Sequence, residues 1–215
     1  MNKKVILFDL DGTLIDSTEA ILGCFYHSFK ELGFDFKGSD EDIKKEIGYP
    51  LDVMYATLGI PKDDITMFVD SYKKEYQKVS KAKTILLENA LESVKLASTF
   101  ATLGVVTTKT TTYSIELLES FGIMKYFDTI IGRQEVINPK PHPEPIFKAL
   151  KNLNIEPSKD IYMIGDTKLD LIAGNSAGVS SVAVLCGYGT KDELSQYTNN
   201  IFDNSLDAVK CLKIL

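Results

Sequence analysis

Four apolar residues, Val5-Ile6-Leu7-Phe8, run straight into Asp9-Leu10-Asp11-Gly12-Thr13. A short continuous apolar run that ends in a turn signal reads as a buried strand. Two carboxylates therefore stand just past the carboxyl end of a core strand, and in open α/β sheets that is where ligands bind. Gly12 lets the chain turn sharply there, because glycine takes unusual backbone angles at little steric cost. Taken alone, Asp-x-Asp-Gly is more often an acidic turn that caps the next helix. The rest of the chain decides between the two readings.

From residue 84 onward, strands and helices alternate. Strands are expected over residues 101–107, 128–131, 160–164 and 180–185, with a last short one near Ile201. Helices are expected over 89–100, 110–121, 143–153 and 168–177, and from Ser205. Gly122 and Gly178 stop two of them, and Pro143 sits in a first turn, where proline is tolerated. This alternation predicts an α/β fold built on a doubly wound parallel sheet.

Residues 16–81 differ, because nothing among them reads as a strand. Asp16 and Ser17, with Glu19 following, offer a cap for a first helix whose apolar face carries Ile21, Phe25, Phe29 and Leu32. Further helices are expected near 40–47, 51–58 and 63–80. A βαβ crossover takes about 30 residues, and the first and second core strands stand roughly three times that far apart. The excess predicts an inserted all-helical domain at 16–81, within a core made of 1–15 and 82–215.

Composition narrows the partners. The formal net charge is -6 and the pI is near 5.0, so no basic face for nucleic acid is expected. The same charge repels anions at long range, so any phosphate site must be built locally. Cys24, Cys186 and Cys211 are odd in number and widely spaced. They fit neither a disulfide framework nor a metal motif, which points to a reducing cytoplasm. The start Met1-Asn2-Lys3-Lys4 is basic, but Asp9 interrupts the apolar run behind it. Neither a signal peptide nor a membrane span is expected.

Three more features fall at strand ends or in the loops after them. Thr107-Thr108-Lys109 closes the 101–107 strand. Asn138-Pro139-Lys140-Pro141 sets a lysine in a stiff loop before a helix. Gly165-Asp166-Thr167, with Asp170 one helical turn on, closes the 160–164 strand. In a doubly wound sheet all of these share one edge with Asp9 and Asp11. Singly, each has an ordinary explanation: a strand-end threonine, a solvated lysine, a helix-capping Asp166, a surface Asp170. Together they make a set.

That set resembles the haloacid dehalogenase superfamily of phosphohydrolases. The resemblance rests on Asp9-Leu10-Asp11-Gly12-Thr13, Thr107, Lys140 and Gly165-Asp166-x-x-x-Asp170, and it covers the whole chain, because the helical insertion lies where the family carries its cap. In detail the chain is similar to the phosphoglycolate phosphatase branch. The segments concerned are residues 9–17, Ile47-Gly48-Tyr49-Pro50-Leu51, Lys140-Pro141-x-Pro143 and Gly187-Tyr188-Gly189. One departure is Thr108, where that branch often has asparagine.

The resemblance implies a Mg2+-dependent phosphatase acting on a small phosphorylated metabolite, without a nucleic-acid or membrane partner. It implies Asp9 as nucleophile, Asp11 as acid and base, and Thr107 and Lys140 as phosphoryl-binding groups. Asp9, Asp11 through its backbone carbonyl, and Asp166 are implied as metal-site residues, with Asp170 beside them to orient metal-bound water or the lysine. Thr13, Thr108 and Lys109 are substrate-binding candidates in the core. Gly48, Tyr49 and Pro50 are candidates in the cap, which is expected to close over the sheet edge on hinges near 14–17 and 81–84. The chemistry argues the same way independently. Converging carboxylates repel, and a hard divalent cation with oxygen ligands removes that difficulty. His27 and His142 make no cluster for zinc. Other possibilities are a pyrophosphatase or phosphomutase on the same scaffold, or a non-enzymatic phosphoacceptor receiver module, although receivers are about half this length and have no insertion.

Overall fold

The computed structural model describes residues 4–214; the basic start at 1–3 and the last residue lie outside them. The chain forms strands β1 (Lys4–Phe8), β2 (Ile15–Asp16), β3 (Ile85–Leu86), β4 (Ala101–Val106), β5 (Thr129–Ile131), β6 (Ile161–Gly165), β7 (Ser180–Val184) and β8 (Ile201–Phe202). Six of them make one sheet in the order β5-β4-β1-β6-β7-β8, and every neighbouring pair in it is parallel. The chain winds outward in both directions from the β1/β6 pair. That pair is the switch point, where an α/β sheet opens a crevice at its carboxyl edge.

β1 is central because both of its faces are apolar. Val5 and Leu7 pack with Ile146, Ala149 and Leu150 of α7 (Glu144–Leu153) and Ala173 of α8 (Lys168–Ser176). Ile6 and Phe8 face the other way. They meet Val94 and Ala97 of α5 (Ala90–Ser98), Leu117 and Leu118 of α6 (Thr111–Ser120), and Val209 and Leu212 of α10 (Ser205–Ile214). Each fully buried Val, Leu, Ile or Phe side chain among these stabilises the fold by about 1.5–3 kcal/mol relative to exposure. The doubly wound sheet expected from the alternation is therefore present, and its strand bounds differ from expectation by a residue or so. A one-turn helix, α9 (Lys191–Leu194), and the two-residue strands β2 and β3 were not foreseen. Segments that short carry no usable periodicity.

The chain separates into two compact units. One comprises the residues up to Asp16 and those from Leu86 onward; the other is Ser17–Ile85. The second unit is built from α1 (Thr18–Glu31), α2 (Asp40–Lys44), α3 (Leu51–Thr57) and α4 (Ile65–Val79). Its interior is aromatic. Phe25 meets Tyr55 at a ring separation of 4.7 Å, and Tyr55 meets Phe68 at 5.5 Å. The unit runs past residue 81 because the turn after α4 stays tied to it. Ala82 and Lys83 donate backbone N–H bonds to the Val79 carbonyl, and the Lys83 ammonium lies 3.2 Å from Glu19. Glu19 is thus engaged by Lys83, and Ser17 makes no side-chain cap bond. α2 stops at Lys44, short of the expected 47, and starts from a box formed by Ser39 and Asp42.

Candidate active site

Asp9 follows β1 directly, and its backbone N–H bonds the Ile164 carbonyl of β6 at 2.8 Å, so the strand pairing reaches the first acid of the motif. Gly12 then turns the chain at φ 79, inside the left-handed region. A side chain there would also drive into the Asp166 carboxylate. Both reasons require glycine at 12.

Across the switch point, β6 ends at Gly165 and Asp166. Asp166 is fully buried. Thr13 Oγ1 donates to its Oδ1 at 3.1 Å, and the Tyr188 backbone N–H donates to its Oδ2 at 2.8 Å. Asp166 does not cap the following helix. Thr167 does, in a box with Asp170: the Thr167 N–H and hydroxyl both donate to Asp170 Oδ2, at 3.1 and 2.8 Å. Asp170 is therefore no surface acid. One of its oxygens opens α8, and the other faces Lys140.

Lys140 joins the parts. Its ammonium, 3% exposed, donates to Asp9 Oδ1 at 2.8 Å, to Asp170 Oδ1 at 2.5 Å and to the Val106 carbonyl at 2.9 Å. The loop that carries it enters α7 through a cis Lys140–Pro141 peptide. That loop has a clamp which sequence reasoning missed. Glu144 Oε1 accepts the Ile137 N–H at 2.8 Å, and its Oε2 accepts both the Asn138 N–H and Nδ2 at 2.9 Å. The only available signal was an acid in the first turn of a helix just behind the lysine.

Asp9, Asp166 and Asp170 each present one oxygen within 4.8 Å of the others'. If all three ionise, three carboxylates meet one ammonium, which leaves two negative charges buried together. Burial is the main force raising the Asp9 carboxyl, to about 7, with Lys140 opposing and Asp170 adding to it. Burial likewise raises Asp166 well above the usual carboxylate range, reinforced by Asp170 and Asp9. For Lys140, burial disfavours the charge, but Asp170 and Asp9 more than offset it, and the ammonium is strengthened. A cluster of buried oxygens short of two positive charges fits a divalent, oxygen-seeking cation.

Asp11 stands outside that cluster. Its carboxylate lies 3.2 Å from the Lys109 ammonium, and both side chains are nearly buried, at 13% and 8% exposure. Lys109 is therefore not a solvated lysine. Thr107 is buried at the end of β4. Its N–H bonds the Ile131 carbonyl at 2.9 Å, and its hydroxyl oxygen accepts the Lys109 N–H at 3.2 Å. Thr108, half-buried, sits between them. Thr13, expected to touch substrate, is fully buried against Asp166. Gly48, Tyr49 and Pro50 belong to the helical unit, where Pro50 precedes α3. In the core, then, Asp9, Asp166, Asp170, Lys140 and Thr13 come together, with the Asp11–Lys109 pair formed separately.

Residues 6–184 match the family model described as haloacid dehalogenase-like hydrolase. The chain belongs to that family. It is a phosphatase hydrolase of the haloacid dehalogenase group. The pyrophosphatase PpaX of Oceanobacillus iheyensis is 37% identical over 187 residues, covering 86% of this chain and 84% of that protein. The phosphoglycolate phosphatase of Salmonella typhi is 29% identical over 211 residues, covering 87% and 83%. A haloacid dehalogenase-like family hydrolase from Streptococcus pneumoniae has the same fold at a TM-score of 0.87, with 29% identity over 97% of this chain and 98% of that one. Family membership sets aside the receiver-module reading.

Proposed function

We propose that this haloacid dehalogenase phosphatase hydrolyses a small phosphate monoester through an aspartyl-phosphate on Asp9. The supporting observation is the buried contact of Lys140 with Asp9 and Asp170 beside Asp166. Lys140 aims Asp9 and stabilises charge on the incoming phosphoryl group. Thr107 takes a backbone N–H on its oxygen, which leaves its own proton available to donate to a phosphoryl oxygen. Asp9 attacks phosphorus, and the P–O bond to the leaving group breaks. Asp11 gives the departing alkoxide a proton. It later takes one from the water that splits the acyl phosphate, which returns Asp9.

The carboxylates of Asp9, Asp166 and Asp170, with the Asp11 carbonyl, are the proposed Mg2+ site. The ion, when bound, supplies positive charge to the transferring phosphoryl group. The helical unit, Ser17–Ile85, is assigned as the cap domain and the remainder as the catalytic core. Gly48, Tyr49 and Pro50 are assigned to substrate selection.

The substrate reading is a compact phosphorylated acid of the phosphoglycolate kind, the compound named for the Salmonella typhi relative. Pyrophosphate is the second reading, because the Oceanobacillus iheyensis protein named for it shares more identity with this chain. Phosphate release with Mg2+, ranked by kcat/KM across phosphoglycolate, pyrophosphate, sugar phosphates and nucleotides, tests both. Phosphoglycolate at the head of the ranking supports the first reading, and pyrophosphate at the head replaces it with the second. No release from any of them refutes the small-substrate assignment.

A further inference from the structure

The mechanism assigns no role to Gly187-Tyr188-Gly189, in the loop after β7. This motif is nevertheless bound tightly to Asp166. The Tyr188 N–H donates to Asp166 Oδ2 at 2.8 Å. The Gly189 N–H donates to the Asp166 backbone carbonyl at 3.1 Å. Next to them, Cys186 Sγ donates to the Gly12 carbonyl at 3.4 Å, which ties the same loop to the turn after Asp11. From the opposite side Thr13 Oγ1 donates to Asp166 Oδ1.

Glycine is needed at 187 for space rather than for backbone angle. A Cβ there would overlap Asp166 Oδ2 and the Gly12 carbonyl oxygen. Gly12 crowds the same carboxylate from its own side. Asp166 is therefore wedged between two glycine backbones that lie far apart in the chain. Each of its oxygens is held by one donor, and rotation of the carboxylate would break both bonds. Each oxygen also keeps a second lone pair, which can face a cation.

We propose that the Gly187–Gly189 loop is a positioning element that fixes the Asp166 carboxylate for the divalent cation. This rests on the reading above that Asp166 is part of the Mg2+ site. Groups that orient a metal ligand without touching the metal change affinity by about 10- to 100-fold when altered. The loop acts on metal affinity and leaves the chemistry at Asp9 alone, so the effect belongs in the binding constant, with kcat at saturating Mg2+ close to that of the parent.

The test is Mg2+ binding to the full chain by calorimetry, without substrate. Gly187→Ala is expected to bind about tenfold or more weakly. Tyr188→Ala keeps the N–H donor, and it is expected to bind within about twofold of the parent. A folded Gly187→Ala protein that binds as tightly as the parent overturns the proposal. So does a Tyr188→Ala loss as large as that of Gly187→Ala, because the side chain would then be the active part. Failure of the parent itself to bind Mg2+ overturns the metal reading beneath. A second measurement needs no variant. The Tyr188 amide of the parent protein should exchange slowly with solvent deuterium and should shift on Mg2+ addition. A Tyr188 amide that exchanges freely, or ignores Mg2+, overturns the proposal even if Gly187→Ala fails to fold.

Discussion

The core holds two arrangements of acid and lysine, and they are balanced differently. Asp11 meets the Lys109 ammonium at 3.2 Å. Asp9 and Asp170 share a single ammonium, that of Lys140, and Asp166 stands beside them without it. In the first, one acid faces one cation. The second is short of positive charge in a place where water cannot supply the difference. A buried excess of like charge weakens a fold, so the cluster is not a stability device. It is the kind of locally unfavourable arrangement found at functional sites, maintained because the surrounding sheet over-determines it.

The largest effect that separates the two regions is expected at Asp9. Asp9→Asn should lower steady-state turnover by about 10³-fold or more, as loss of a nucleophile does. The same substitution removes one excess charge, so it should raise the melting temperature of metal-free protein. Activity that survives Asp9→Asn would end the nucleophile assignment, and a lower melting temperature would end the charge argument.

Lys140→Met comes next. It leaves the buried Asp9 and Asp170 carboxylates without their ammonium, beside a third acid, Asp166. Breaking such a buried pair costs about 3–5 kcal/mol. The loss should show in chemical denaturation in EDTA and shrink when Mg2+ is added. Equal destabilisation with and without Mg2+ would mean that the cluster does not take the ion.

The balanced pair should respond more mildly. Lys109→Met removes the cation beside Asp11. Proton donation matters for an alkoxide leaving group and hardly at all for a nitrophenolate. Single-turnover rates on an alkyl phosphate should fall about tenfold more than on p-nitrophenyl phosphate. An equal fall on both would place Lys109 on the phosphoryl group itself.

A pH dependence sharpens the comparison further. The Asp9 carboxyl is raised from 3.8 to about 7 by burial. A carboxyl raised in the folded state stabilises fully below its unfolded value, and that contribution is lost as pH rises towards the folded value. Metal-free protein should therefore lose stability relative to Asp9→Asn between about pH 4 and 7, by up to about 1.4 kcal/mol per pH unit. Paired denaturation curves across that window check the sign. A gap that narrows with rising pH contradicts it.

The sheet was legible because its strands are apolar runs ended by acid, glycine or threonine. Val5-Ile6-Leu7-Phe8 and the segment ending at Gly165-Asp166 announced both the buried pair at the switch point and the residues beyond it. Lys140 was legible as a residue, and Asp170 as a group that could orient it, but its bonds to Asp9 and to the Val106 carbonyl were not, because these reach it from separate segments. The Asp11–Lys109 pair escaped notice for the same reason. Glu144 and the Tyr188 N–H were invisible for another: one acts on backbone amides and the other is a backbone amide, so no pairing of side-chain types marks them. In the helical unit, Glu19 looked like a capping residue, and Lys83, remote in sequence, engages it.

The most direct test is to quench the enzyme during turnover of a radiolabelled phosphate ester with Mg2+ and to map the label by peptide. The account predicts labelled phosphate on Asp9, stable in acid, released by hydroxylamine, and absent from Asp9→Asn. Label on any other residue, or full turnover by a protein that never carries label, would contradict it.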